Sequence, residues 1–306
     1  MRKSVMITLI GLLGLLTLLL LWFVVRELLE KRALEQPADA RMLFIGNSFT
    51  ENNELDQLVA QLASELGPEW NDIFATRVAA GGYKLVEHLG NVENSEANPP
   101  LRQLLVTGSE AARSWDLIVI QEQSQIPGFG RQAAESEESF AAAPQLHRYA
   151  SDTGATVMML QTWGHAEGDP RNASIFPDYL TMQNRLAQGT RDLAAQMSAS
   201  GSQVFVIPAG RGFQLVYQDV LNNDENPLAE GSFFRRLFAE DGRHPSLSGS
   251  YLAACIIVAA YTGQPVTEID WQPREIDTTM AAYLRRVADR VVFGAEFAPQ
   301  DYPWSS

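Results

Sequence analysis

The chain predicts an α/β fold, a three-layer α/β/α sandwich built on a five-stranded parallel sheet of flavodoxin-like type. Three observations carry that expectation: five compact apolar runs recur along the chain, stretches of helical period separate them, and a polar loop follows each run. Short runs that are apolar throughout suit strands buried on both faces, as in a parallel sheet covered by helices on each side. Alternation of strand and helix is the mark of that architecture.

Taken in order, residues 42–45 form the first strand. Asn53 is placed to cap a helix in which Leu55, Leu58, Val59, Leu62 and Leu66 recur at helical spacing, and Gly67-Pro68 stops it. A second strand over residues 73–78 ends in Ala79-Ala80-Gly81-Gly82. Residues 117–120, 156–160 and 204–207 supply the third, fourth and fifth strands. Helical stretches lie around residues 101–105, 145–149 and 179–197, and two more, 247–261 and 276–292, follow the last strand. In such sheets active residues gather on loops at the carboxyl ends of the strands. Here those loops are Gly46-Asn47-Ser48, Gly81-Gly82, Gln121-Glu122-Gln123-Ser124, Gln161-Thr162-Trp163 and Gly210-Arg211.

The sandwich is preceded by a different kind of segment. Residues 5–25 carry no charge and are dominated by Leu, Ile and Val. Their twenty-one residues, at about 1.5 Å each, span roughly 31 Å of helix, enough for a hydrocarbon core of about 30 Å. Trp22 and Phe23 stand near the far end, as interfacial aromatic residues do. Ala38-Asp39-Ala40 resembles a cleavage site, but the apolar stretch exceeds the roughly 7–15 residues of a signal peptide. The sequence therefore predicts an uncleaved, single-pass anchor. Positive charge flanks it on both sides, Arg2 and Lys3 before and Arg26, Lys31 and Arg32 after. Because the charge bias hardly decides, the extracytoplasmic placement of the domain rests on the usual behaviour of single N-terminal anchors. The expected division is an anchor over residues 1–25, a charged stalk over 26–40, one domain over 41–296 and a tail over 297–306.

Composition excludes several classes of partner. A net charge of −14 argues against electrostatic binding of nucleic acid or anionic lipid heads. The lone Cys255 cannot form an internal disulfide, and the four histidines are scattered without metal-ligand spacing. Neither a Gly-x-x-x-x-Gly-Lys nor a Gly-x-Gly-x-x-Gly motif is present. Nothing in the chain specifies an oligomeric state.

Chemistry concentrates in two short motifs at opposite ends of the domain. Ser48 lies where the first apolar run gives way to turn residues, and Asp241-Gly242-Arg243-His244 is the single Asp-x-x-His of the chain. A serine hydroxyl becomes a nucleophile when a base takes its proton, and the base needs its tautomer fixed through its other ring nitrogen. Ser48, His244 and Asp241 are thus the minimum set for acyl transfer through a covalent serine intermediate. Taken singly, each motif reads equally well as a turn or a helix start. Among the remaining residues, Trp163 reads as a cleft wall and Arg211 and Arg243 as anion binders. His88 and His147 read as helix-surface residues, and His165 as a loop residue facing solvent.

These motifs resemble those of the SGNH, or GDSL-type, hydrolase superfamily of serine esterases and lipases. The resemblance covers residues 41–292. Gly46-Asn47-Ser48 matches the nucleophile block, with Asn47 where aspartate is more usual. Gly81-Gly82 matches the glycine block, and Asp241-Gly242-Arg243-His244 the block of base and orienting acid. The third block departs: Gln121-Glu122-Gln123-Ser124 stands where the family has Gly-x-Asn-Asp. What the resemblance implies is Ser48, Asp241 and His244 as catalytic residues and an oxyanion hole of the Ser48 and Gly82 N–H groups with Gln123. Gln121 is the alternative donor and, with Trp163 and Arg211, a candidate substrate contact. An ester substrate follows, with O-acetyl groups of an envelope glycan as the preferred case and with no metal or organic cofactor required. An acyltransferase using the same triad and a non-catalytic glycan-binding module remain the alternatives.

Overall fold

The computed structural model describes residues 34 and 36–305. The apolar segment over residues 5–25, read above as a membrane anchor, lies outside the described residues, as does most of the stalk. Among the described residues no helix is long and apolar enough to cross a membrane.

Five strands form one sheet in the order β2-β1-β3-β4-β5. They are β1 (Ala40–Gly46), β2 (Ile73–Ala79), β3 (Leu117–Ile120), β4 (Thr156–Leu160) and β5 (Val204–Ile207), and every neighbouring pair is parallel. The expected five parallel strands and their order of flavodoxin type are therefore present. β1 begins two residues before the apolar run because Ala40 and Arg41 pair with Ile73 and Phe74. Arg41 is buried there, with the Asp116 carboxylate near enough to act on its charge. Its side-chain N–H groups donate to the carbonyls of Leu34 (2.7 Å), Ser114 (2.8 Å) and Gln36 (3.2 Å), and Phe74 and Trp115 lie against its plane.

A one-turn helix α1 (Ser48–Glu51) follows β1 directly. The longer helices are α2 (Leu55–Ser64), α3 (Leu85–Glu93), α4 (Ala134–Ser151), α5 (Tyr179–Ser198), α6 (Ala209–Asn222), α7 (Leu247–Thr262) and α8 (Thr278–Phe293). Side chains of a strand alternate between faces, and β1 shows how both layers are filled. Leu43 and Ile45 join a core with Leu85 and Leu89 of α3, Leu146 of α4 and Leu193 of α5. Met42 and Phe44 face the other way, toward Leu55 and Leu62 of α2, Phe213 of α6, Ile256 of α7 and Leu284 of α8. α7 is buried nearly all round, which is why its sequence is apolar without a polar stripe. Burial there pushes the Cys255 thiol up, so it is an inert packing residue.

Three local expectations are corrected, and one helix is added. Asn53 does not cap α2; it adopts φ 57°, and its side-chain amide donates to the Pro245 carbonyl (3.2 Å) and to Ser250 Oγ (2.9 Å). Gly210 and Arg211 are not loop residues but lie in the first turn of α6. Gly210 is there for close approach, since an added Cβ would sit 2.2 Å from the Thr162 carbonyl oxygen. α3 was hidden in the sequence because His88 takes one of its buried positions and Gly90 lowers its helix propensity. The segment 297–305, set apart above as a tail, packs on the domain: Gln300 Nε2 donates to the Val206 carbonyl on edge strand β5 (2.8 Å), Trp304 Nε1 donates to the Ala260 carbonyl (3.0 Å), and Tyr302 is buried.

Candidate active site

The strand order reverses between β1 and β3, so the loops leaving their carboxyl ends diverge and open a crevice there. Ser48 follows β1, and Gln121 to Ser124 follow β3. The nucleophile turn is tight. An added Cβ on Gly46 would lie 2.6 Å from Gln121 Oε1, so only glycine fits. Asn47 then caps α1: its Oδ1 accepts from the Phe49 N–H (3.1 Å), while its Nδ2 donates to the Tyr83 carbonyl (3.0 Å). An aspartate could make the first bond and not the second. Asn47 thus ties the Ser48 turn to the loop carrying Gly81 and Gly82.

His244 arrives from 196 residues away in sequence, its Nε2 3.0 Å from Ser48 Oγ. Its Nδ1 lies 2.6 Å from Asp241 Oδ2. The other carboxylate oxygen accepts the backbone N–H groups of Arg243 (2.9 Å) and His244 (3.0 Å). Burial by itself would raise the Asp241 carboxyl, but these bonds from Arg243 and His244 outweigh it and hold its pKa at about 2. An ionised carboxylate only accepts, so His244 Nδ1 carries a proton and Nε2 is free to receive one from Ser48. Ser246 caps α7 just beyond, accepting from the Gly249 N–H (3.3 Å), and Asn53 holds the Pro245 carbonyl. The loop bearing His244 is therefore fastened to the segment that follows Ser48.

The crevice around Ser48 is a cavity of about 420 Å³. Gly81, Gly82, Gln123 and His244 line it with Ser48. Gly82 has φ +75°, which turns the loop at the cavity wall, and nothing lies within 4 Å of where its Cβ would be. Among the described residues neither the Ser48 nor the Gly82 N–H donates to a backbone carbonyl outside regular helices and strands. Gln123 is half-buried, and its Oε1 accepts from the Gln125 N–H (2.9 Å), which leaves Nε2 as the end able to donate to a ligand.

Glu122 escaped the sequence reading, although a carboxylate beside an apolar strand was its available signal. It is 1% exposed. Its Oε1 accepts the Gln123 N–H (2.6 Å) and the Leu85 N–H (3.2 Å), and Ser139 donates to its Oε2. Burial raises its pKa against the opposing effect of those donors. One carboxyl group thus joins the Gln123 loop, the start of α3 just after Gly82, and α4.

The other candidates are sorted by burial. Gln121 does not face substrate: it is fully buried, its Oε1 accepting from the Asn47 N–H (3.0 Å) and Thr50 Oγ1 (2.9 Å) while its Nε2 donates to the Glu122 carbonyl. It braces the nucleophile turn. Trp163 is 0% exposed and so is no cleft wall; it stacks on Phe213 at 4.2 Å, and Phe49 bridges it to the His244 ring. Arg211 lies elsewhere, over the Phe297 ring at 4.4 Å. Arg243 does line the cleft. His88 and His147 are not surface residues but fully buried, and burial lowers the pKa of each. His88 Nε2 is 2.8 Å from the Gly46 carbonyl, which can only accept, so this ring nitrogen carries the proton. His165 is 4% exposed rather than solvent-facing, and burial brings its pKa down to about 4. It lines the cleft beside Asp169, whose carboxylate is held by Gln125 Nε2 and Asn172 Nδ2, both at 2.7 Å. Among the described residues no group of His, Cys, Asp and Glu side chains is placed to hold a metal ion.

No protein-family model matches the chain, and no curated protein matches it. Solved structures do. A protein of the DUF4886 family from Bacteroides uniformis superposes with a TM-score of 0.61 at 21% identity, over 83% of this chain and 95% of that one. A protein proposed to be an SGNH hydrolase, from Slackia heliotrinireducens, superposes with a TM-score of 0.51 at 24% identity, over 72% of this chain and 97% of that one. The fold is that of the SGNH hydrolases. Within this SGNH fold, Ser48, Gly81-Gly82 and His244 occupy the loops at the carboxyl ends of β1 and β2 and the segment before α7. In the loop after β3, Glu122 and the two glutamines do separate work.

Proposed function

We propose that this protein is a serine esterase that cleaves short-chain carboxylic esters, with O-acetyl groups on a glycan as the favoured class. The observation that carries this reading is the continuous relay from Ser48 Oγ to His244 Nε2 (3.0 Å) and from His244 Nδ1 to Asp241 Oδ2 (2.6 Å). In the first half-reaction Ser48 Oγ bonds to the acyl carbon while His244 takes its proton. The bond to the alcohol oxygen breaks, and that oxygen leaves with the proton from His244. Water repeats the sequence: its oxygen bonds to the acyl carbon, its proton passes through His244 to Ser48, and the acid departs.

The lining of the cleft supports a short acyl group. Gly81, Gly82, Gln123, Ser124 and Gln125 border it, and Phe49 is buried beneath. Burying a long chain would gain about 0.8 kcal/mol per methylene only where apolar wall exists to receive it, and Phe49, itself 4% exposed, is the one large apolar side chain that lines the cleft. A screen of 4-nitrophenyl esters from acetyl to octanoyl, without an added acceptor, should show kcat/KM highest for acetyl. A maximum at hexanoyl or octanoyl would overturn the short-chain reading, and turnover that depends on an added alcohol would point to acyl transfer instead.

The oxyanion hole is proposed as the Ser48 and Gly82 N–H groups with Gln123 Nε2. A donor aimed at the developing negative charge acts on the transition state more than on the ground-state ester. Gln123→Ala should therefore lower kcat by roughly a hundredfold, the lower end for removing one such donor, with KM little changed. Gln123→Glu, which replaces the donor by an acceptor, should be at least as slow. A loss confined to KM would assign Gln123 to ground-state binding.

A further inference from the structure

A second cavity of about 370 Å³ adjoins the catalytic cleft, and His165, Asp169, Arg171 and Arg243 line both. The two are thus chambers of one groove, divided by a wall that includes the loop carrying the base. Asp241, Gly242 and Arg243 face the second chamber, and His244 the first. That partition has a chemical consequence, which rests on the esterase reading above. The acyl oxygen must meet the donors at Gly82 and Gln123, whereas the alcohol oxygen must come within hydrogen-bond reach of His244 to receive its proton. From His244 the open space continues past Arg243 and His165 into the second chamber.

The lining of that chamber restricts what can lie in it. Glu167, Asp169 and Glu240 are set against Arg171, Arg235 and Arg243, and Leu228 is the one long aliphatic side chain at its border. Two of these groups are committed and give the chamber a fixed frame. Arg235 donates to the carbonyls of Ala239 (3.0 Å) and Glu240 (3.1 Å), and Asp169 is held by Gln125 and Asn172. Others are unspent. Arg171 contributes its backbone N–H to Asp169, and Glu240 its carbonyl to Arg235, with both side chains left exposed. A fatty alcohol would find no continuous apolar wall here. A charged group would meet like charge whichever its sign. A neutral group with many hydroxyls, each both donor and acceptor, can pair with carboxylates and guanidinium groups alike.

We propose that the second chamber is the subsite for the alcohol part of the ester and that it takes a neutral, hydroxyl-rich group, a sugar residue. Arg171 and Glu240 are its specificity-determining contacts, and Leu228 stands at its mouth.

The test compares three acetates on the purified protein: a mono-O-acetyl methyl glycoside, butyl acetate, and 4-nitrophenyl acetate as the minimal ester. The wild type should favour the acetylated glycoside over butyl acetate by at least roughly tenfold in kcat/KM. Arg171→Ala and Glu240→Ala should each reduce that preference by roughly fivefold, the effect of about one lost hydrogen bond of ordinary strength, and act through KM. Leu228→Trp, which fills the mouth, should reduce it further. Active sites in each variant are counted by fluorophosphonate labelling of Ser48, so a misfolded fraction does not pass for lost specificity. All three residues are exposed at the surface. If 4-nitrophenyl acetate is cleaved but the glycoside holds no advantage, or the variants leave the preference intact, the subsite assignment is overturned and the esterase reading stands. A preference for butyl acetate overturns it equally. If no ester is cleaved and Ser48 is not labelled, the esterase reading itself fails and the subsite with it.

Discussion

Ser48→Ala is expected to lower kcat for 4-nitrophenyl acetate by a factor on the order of 10⁴–10⁶ and to abolish fluorophosphonate labelling. The fold should not suffer. Ser48 is only partly buried, and its hydroxyl bonds to His244 and to nothing else among the described residues. Thermal unfolding of the variant should therefore match the wild type within a few degrees. The informative measurement is the cycle with His244→Ala. Nucleophile and base act in one step, so removing the second after the first removes almost nothing more. The double variant should fall within about tenfold of either single one. Losses that multiply across the cycle would mean that the 3.0 Å contact between Ser48 and His244 has no catalytic use.

Asp241→Asn should cost roughly 10³–10⁴ in kcat while preserving the loop. The substituted amide keeps one oxygen to accept the N–H groups of Arg243 and His244, so the turn survives. Its NH₂ end, however, would face His244 Nδ1 as a donor. The ring can answer only by carrying its proton on Nε2, which then has no lone pair for the Ser48 hydroxyl. A variant that keeps activity within tenfold would remove Asp241 from the mechanism. The pH dependence follows from the same carboxylate. Its pKa of about 2 lies below the ordinary aspartate value of about 3.9. Its folded form is thus favoured while the group is ionised: this stabilisation is fully present above about pH 4 and is lost as pH falls through about 2. Urea midpoints should accordingly decline less between pH 4 and pH 2 in Asp241→Asn than in the wild type.

The departures at Asn47 and in the third block separate two roles that a motif merges. Asn47 keeps the capping bond and adds a tie to Tyr83. Gln121, Glu122 and Gln123 are consecutive and polar, yet one braces the nucleophile turn, one joins three loops and helices from within the core, and one faces the cleft. Spacing alone assigns all three to a single polar loop. Their difference lies in which way each side chain points in the loop leaving β3, and that is set by the segments packed against it.

The histidines and arginines show the same division. His88, His147 and His165 sit in polar or interrupted sequence, and nothing local marks them as buried. Each is inside because another part of the chain closes over it, as α3 brings His88 onto the Gly46 carbonyl. Arg211 shares a polar loop pattern with the site but belongs to a helix that turns it toward Phe297.

Local pattern was sufficient for the five strands, the helices of strong period and the parallel sheet, and it singled out Ser48, Asp241 and His244, which the structure brings together. Apolar runs and turn residues act over a few neighbours, so their record survives in a linear chain. Tertiary structure alone decided the meeting of Ser48 with a histidine 196 residues away, the burial of Glu122 and Gln121, and the second chamber beside the base. A polar side chain is tolerated inside when partners satisfy it, and here distant segments that only the folded sheet brings near supply Leu85 and Ser139 to Glu122 and Asn47 and Thr50 to Gln121.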